Sequence, residues 1–319
     1  MKKNEQDIHI DKTETQAISK AHRFCHDAMA AAFEIFIVNN DFDYARQAAR
    51  AAFDELDRLE VQLSRFVPNS DIARINNLQA GQTLNIGLDT FECLQLSERI
   101  YKQTDGAFDV TIGPLYNCWL DENKNIRSPS KIELDTARKS TGLNLITLDK
   151  EFYSITVQQP VLVDLGGIGK GFAIDKMAQL LKQWSIDTAL INAACSSILA
   201  LDSPPDTKGW PVTISCRKPQ ERFYLHNRAL SASGLRQGRH IIDPASAKPL
   251  ENNRSSWVFA PDAATTDALS TAFMIASPDR IKQYCSKHPQ TEVLLLEKGQ
   301  KKDMVLQFAG SDRSSTQAF

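Results

Sequence analysis

Asp267 and Thr271 stand four residues apart in TTDALSTAF (265–273), a stretch whose apolar spacing predicts a helix. That spacing places a carboxylate and a hydroxyl on one helix face. Both are hard oxygen donors of the kind that hold Mg²⁺ or Ca²⁺. Two side chains are too few for a site, so backbone carbonyls, water or a substrate phosphate would complete it. The other reading sets Asp267 against the helix dipole and Thr271 against its own backbone, and spacing alone favours it. A second candidate is VDLGGIGKGFAID (163–175), where four glycines and Lys170 lie between an apolar run and an amphipathic pattern. A strand, a glycine turn and a helix N-terminus present backbone N–H groups to an anion. The same glycines also suit a tight strand-to-helix connection and nothing more. Neither G-x-G-x-x-G nor a Walker loop is present, since Lys170 is not followed by Ser or Thr. His240, ahead of Ile241-Ile242-Asp243-Pro244, is suited to proton traffic near neutral pH, or to donating a hydrogen bond to phosphate. Asp109 and Asp164 flank apolar segments, where a carboxylate either holds a turn or needs buried partners. No G-x-S-x-G, H-E-x-x-H or zinc-type cysteine spacing occurs.

The elements that must position these residues alternate irregularly. Ala32–Val38 reads as a strand. Ala45, Ala49, Ala52, Leu56, Leu59 and Leu63 form one helical stripe that ends before Pro68. Short helices are expected over Asp71–Asn76, from an Asp89 cap to Lys102, and from a Ser130/Glu133 capping box to Lys139. Residues 116–130 read as a loop. Strands are expected at 146–148, 154–157, 161–163, 188–193, 210–216, 228–231, 257–260 and 293–296. Helices are expected over Ala173–Trp184, over Ala264–Ser277 ending at Pro278, and over Asp279–Lys287. Mixed helices and strands without strict alternation point to α+β, read as a single mixed α/β domain over 21–309 between tails at 1–20 and 310–319.

The 319 residues can bury a sizeable core, and 42% hydrophobic with 24% charged residues suits a globular chain. A net charge of −2 offers no general attraction to nucleic acid or to anionic membrane. No apolar run approaches the roughly 20 residues of a membrane span. The N-terminal residues lack the apolar core of a secretory signal, and six cysteines show no C-x-x-C pairing. The expected compartment is therefore the reducing cytoplasm.

Five stretches in order, LSRFVPNSDIARIN (63–76), DGAFDVTIGPL (105–115), VDLGGIGKGFAID, SASGLRQGRHIIDPASAKP (231–249) and TTDALSTAF, resemble the ApbE-like FAD:protein FMN transferase family. The resemblance implies an α+β domain with FAD as substrate and a divalent metal, transferring FMN to a threonine or serine of an acceptor protein and releasing AMP. It implies Asp267, Thr271 and the Gly169 carbonyl as metal ligands. It implies Lys170, His240 and Asp243 as catalytic, and Phe66 as an aromatic neighbour of adenine. Met29, Asp109, Asp164, Gly166, Gly167, Lys170, Asn192, Ser233, Gly234 and His240 then complete the flavin nucleotide site. The chain departs from the family pattern at its glycines. The family's M-G-T is Met29-Ala30-Ala31, its N-x-G-G is Asn192-Ala193-Ala194-Cys195, and its D-P-x-T-G is Asp243-Pro244-Ala245-Ser246-Ala247. Gly169 stands where alanine is usual. The altered segments suggest a rival, a member that binds nucleotide without transfer, whose affinity glycines at Ala193 and Ala194 would raise. Hydrolysis of FAD to FMN and AMP is a third possibility.

Overall fold

Side chains of the strand Ala31–Ile37 alternate between two apolar layers, as period-two geometry requires. Phe33, Ile35 and Ile37 bury on one side and Phe36 on the other. The computed structural model describes residues 8–10, 20–121, 125–214, 221–234, 241–251, 253–299, 303–310 and 315–318. Among these, nine strands form the central sheet: β1 (His22–Ala28), β2 (Ala31–Ile37), β3 (Ala189–Ala193), β4 (Ser197–Ala200), β5 (Arg228–Gly234), β6 (Arg254–Ala260), β7 (Glu292–Glu297), β8 (Met304–Phe308) and β9 (Ser315–Ala318). Each pairs antiparallel with the next, so the sheet is a meander in chain order, opened by long excursions.

The excursion between β2 and β3 carries most of the helices. These are α1 (Phe42–Leu63), α2 (Asp71–Ile75), α3 (Leu88–Gln103), α4 (Gly113–Trp119), α5 (Lys131–Lys139) and α6 (Gly169–Gln183). After β6 come α7 (Ala263–Ile275) and α8 (Pro278–Lys287). Helix α7 lies on β5 and β6, α6 packs on α7, and α1 packs on α6. The opposite sheet face is covered by the strands 210–214 and 221–225, whose Trp210, Val212 and Leu225 bury against Leu190, Leu230 and Trp257. Helices gathered on one face of an antiparallel sheet make the α+β arrangement expected.

Several elements differ from their expected form, each for a local reason. Val161–Val163 forms no strand; the Asn76 side chain takes the place of a neighbouring strand, with Oδ1 accepting from Val163 N at 2.6 Å and Nδ2 donating to Val163 O at 3.0 Å. Asp89 does not cap α3, whose N-cap is Gly87. Its carboxylate instead meets Lys176 at 2.7 Å and Arg58 at 2.6 Å. The expected loop at 116–130 begins inside α4, where Pro114 occupies the first turn and removes no needed N–H. Pro278 opens α8 under a Ser277 cap rather than merely closing α7. Strand β1 escaped notice because its alternating face is polar. Within the stretches read as tails, Ile8–Ile10 pairs with Val212–Ile214 and β9 pairs with β8. The capping box of α5 is present with both its hydrogen bonds.

Candidate functional site

Helix α7 is the centre of the site, and its sequence explains its place. It is buried on nearly every side, so small residues and hydroxyls face both the sheet and α6. Its N-terminus is held twice: Asp262 accepts from Thr265 N, and Asp175 of α6 accepts from Ala263 N and Ala264 N, all at 2.8 Å. Asp267 is therefore free of the capping role that spacing allowed it. Asp267 is 5% exposed, with Oδ1 accepting from Ser197 Oγ and Oδ2 from Gly171 N, both at 3.1 Å. Lys170 Nζ lies 4.0 Å from Oδ2. Thr271 likewise does not bond its own helix; its Oγ1 lies 3.3 Å from Ser233 Oγ, while Thr266 and Ser270 do the back-bonding. The structure thus departs from the dipole-and-backbone reading at both positions.

A row of hydroxyls ties α7 to the sheet. Ser231 pairs with Thr266 and Ser233 with Ser270, each at 2.8 Å. Ser197, Ser231, Thr266 and Ser270 were not anticipated, although serines two apart in SAS already mark one strand face. Gly171 was missed in the same way. A methyl there would collide with the Ala263 carbonyl, so glycine is what lets α6 approach α7 and aim its N–H at Asp267.

The glycine loop faces Thr271. A Cβ on Gly167 would lie 3.5 Å from Thr271 Oγ1 and 3.3 Å from the Phe108 ring. Asp164 shapes the turn, its Oδ1 accepting from Gly166 N at 2.7 Å and its own N–H donating to Val110 O. Gly169 opens α6, and a methyl there meets only Leu165 Cβ at 3.7 Å. Beside the loop lies Arg65, with Nε 3.2 Å from Asp164 Oδ2. Its guanidinium covers one face of Phe66 at 4.7 Å, and Phe66 is 80% exposed.

The hairpin turns of β1–β2 and β3–β4 bring Met29 and Asn192 to the same sheet end as Ser233 and Gly234. Met29 N donates to Glu60 Oε1 at 2.8 Å. Asn192 is buried; its Oδ1 accepts from Cys195 N at 3.1 Å and its Nδ2 donates to Glu34 Oε2 at 2.8 Å. Glu34 also pairs with Arg23. At the positions where the family pattern has glycine the backbone remains left-handed: φ is 55° at Ala30, 48° at Ala194, 57° at Cys195 and 55° at Ala247. The glycine-demanding pair is Ala194 and Cys195, because Ala193 is an ordinary residue of β3.

Two expected residues hold turns instead of facing Asp267. Asp109 is buried and accepts from Thr111 N at 2.8 Å and Thr111 Oγ1 at 2.6 Å; burial pushes its carboxyl up against those hydrogen bonds. Asp243 accepts from Ala245 N and Ser246 N within its own turn. His240 lies outside the described residues.

A sequence model of the ApbE family matches residues 29–295. The chain belongs to the ApbE family. The FAD:protein FMN transferase of Escherichia coli K12 is 27% identical over 268 residues, covering 77% of this chain and 75% of that protein. The protein of that name from Haemophilus influenzae is 28% identical over 263 residues, covering 76% of each. The apo flavinyl transferase ApbE of Pseudomonas stutzeri shares the fold, with a TM-score of 0.83 and 23% identity over 91% of this chain and 95% of that one. Flavin transferase ApbE of Vibrio cholerae gives 0.81 and 24%, covering 91% and 97%. Against the ApbE pattern, then, the substituted glycines leave the turn conformations in place.

Proposed function

We propose that this chain transfers FMN from FAD to a threonine or serine hydroxyl of an acceptor protein and releases AMP. The observation that carries the reading is the buried Asp267 carboxylate, one helical turn from Thr271, facing the Gly167–Lys170 segment. The hydroxyl oxygen of the acceptor attacks the FMN phosphorus, a new P–O bond forms, and the pyrophosphate bond to AMP breaks. Such transfer asks the protein chiefly for positioning and charge neutralisation. The donor set fits a hard cation: an oxygen-only carboxylate and hydroxyl, neither used by its own helix. Asp267, Thr271 and the Gly169 carbonyl would hold Mg²⁺, which when bound offsets negative charge on the pyrophosphate. Lys170 adds a cation at the loop. His240 takes the hydroxyl proton or orients phosphate. Ser233, Gly234, Asn192 and Met29 line the sheet end where the flavin rests, with Asp109, Asp164 and Asp243 shaping its loops.

The family membership and the names of its relatives support this reading over nucleotide binding without transfer. The left-handed turns at Ala30, Ala194, Cys195 and Ala247 weigh against the view that lost glycines closed the site. No helix among the described residues is long and apolar enough to cross a membrane, and we place the activity in the cytoplasm. FAD and an acceptor protein are the partners. Incubation with FAD, Mg²⁺ and a candidate acceptor should give the FMN adduct by mass spectrometry; protein that neither binds FAD nor releases AMP or FMN overturns the proposal. Asp267→Ala should lower Mg²⁺-dependent turnover by about 100-fold or more, as loss of several kcal/mol of charge stabilisation implies. Full turnover of that variant at ordinary metal concentration rejects the ligand assignment.

A further inference from the structure

We infer that Ser197 is a positioning residue that holds the Asp267 carboxylate in the orientation that can take a cation, an inference that rests on the metal-dependent reading above. Ser197 opens β4 and lies outside every stretch that carries the family resemblance. It is wholly buried, and Asp267 nearly so. The Ser197 hydroxyl donates to Oδ1 from the sheet, and Gly171 N–H donates to Oδ2 from α6, each at 3.1 Å. A single hydrogen bond leaves a carboxylate free to swing about its Cβ–Cγ bond, whereas two from different elements fix its plane. Each oxygen keeps a lone pair after accepting one bond, so a carboxylate held in this way can still ligate.

The other orientation has a partner waiting. Lys170 Nζ stands 4.0 Å from Oδ2, at the outer edge of ion pairing. Without the Ser197 hydroxyl, Oδ1 becomes a buried acceptor with no donor among the described residues, which is costly. Rotation toward Lys170 relieves that cost, but it spends the carboxylate on an ammonium and withdraws it from a cation. Groups that orient a metal-ligating carboxylate through a hydrogen bond typically change metal affinity by about 10–100-fold when removed.

The sheet supplies its own comparison. Ser231 of β5 is the cross-strand neighbour of Ser197 and faces the same helix, where it pairs at 2.8 Å with Thr266, the residue before Asp267. It makes the same kind of bond from sheet to helix without touching the carboxylate. Thr266 also keeps its bond to the Ala263 carbonyl when Ser231 is truncated. A role in packing α7 predicts like effects at both serines; a role in orienting Asp267 predicts an effect on metal at Ser197 alone.

The test uses Mn²⁺ as the probe, its free concentration read by electron paramagnetic resonance. The proteins are the wild type, Ser197→Ala, Ser197→Thr, Ser231→Ala and Asp267→Ala, with melting curves for each. Mn²⁺ affinity should fall at least about tenfold in Ser197→Ala and less than about twofold in Ser231→Ala. Ser197→Thr keeps the hydroxyl and should stay within about threefold of the wild type. Unchanged binding in Ser197→Ala overturns the inference. So does an equal loss in Ser231→Ala, or a folded Ser197→Thr that binds no better than Ser197→Ala. If Ser197→Thr misfolds, the two alanine variants decide; if Ser197→Ala misfolds, Ser197→Cys, a weaker donor, takes its place. Wild-type affinity in Asp267→Ala sinks the metal reading and this inference with it, whereas loss there with none in Ser197→Ala sinks this inference alone. Absence of an FMN adduct with intact, Ser197-dependent Mn²⁺ binding would sink the transferase proposal and leave this one standing.

Discussion

Asp267 and Thr271 illustrate how chemistry at the residue scale depends on which competing bonds are already made. Either could have served its own helix; Asp262, Asp175, Thr266 and Ser270 perform those tasks, and the pair is left facing the loop. The two loop glycines differ by the same logic. A methyl on Gly167 intrudes between the Phe108 ring and the Thr271 hydroxyl, whereas one on Gly169 touches only Leu165. Gly167→Ala should therefore cut Mg²⁺-dependent turnover by an order of magnitude or more with melting little changed. Gly169→Ala, at the first residue of α6, should keep turnover within about twofold and gain a few tenths of a kcal/mol, as alanine is the better helix former. Steady-state rates and thermal melts of both variants check this, and the reverse order of effects would refute the facing assigned to Gly167. The pair at 267 and 271 was legible because four-residue spacing survives in any helix. The serine row was not, since its role exists only once sheet and helix are brought together.

At the scale of elements, the hairpin between β3 and β4 is the informative case. Its two left-handed residues, Ala194 and Cys195, each bear a Cβ in a conformation that costs an L-residue roughly 1 kcal/mol. Compensation comes from outside the turn: Asn192 Oδ1 accepts the Cys195 N–H, and Glu34 fixes the other end of the Asn192 amide. Ala194→Gly and Cys195→Gly should each raise stability by up to about 1 kcal/mol in urea unfolding. Ala193→Gly, inside the buried strand β3, should lower it by about 0.5–1 kcal/mol. Destabilisation by all three substitutions would show that the turn is not strained. The N-x-G-G alignment on Asn192-Ala193-Ala194-Cys195 already puts the glycines at the two left-handed positions, and only the choice of Ala193 and Ala194 for restored glycines falls one residue early. The long helices α1 and α7 were readable from apolar stripe and helix-forming composition. Strand β1 and helix α4 were hidden, the first by a polar exposed face and the second by a proline that happens to suit a helix start.

For the whole molecule, the meander order of the sheet could not be read from periodicity, since about 150 residues separate β2 from its neighbour β3. Besides the direct packing of α1 on β1 and of α6 on β3 and β4, the α6–α7 contact ties that excursion to the sheet, and Asp175 is a polar link within it. Its carboxylate reaches from α6 to the first N–H groups of α7, beside Asp262. Burial pushes the Asp175 carboxyl up to about 7; Asp262 and Asp267 add to the rise, while the two backbone hydrogen bonds oppose it. The folded state therefore holds this proton more tightly than the unfolded chain does. The contribution to stability is complete below the unfolded carboxyl range near pH 4 and is lost as pH rises through 7. Unfolding free energy measured in urea should fall between pH 5 and 8 by an amount traceable to this group. Asp175→Asn keeps an acceptor for one of the two N–H groups and cannot ionise, so it should flatten that fall while losing the second cap hydrogen bond at every pH. Asp175→Ala leaves buried N–H groups at the helix start unpaired and should cost about 1–3 kcal/mol at pH 5. A wild-type slope that survives unchanged in Asp175→Asn would assign the pH dependence to other carboxylates and leave Asp175 a plain cap.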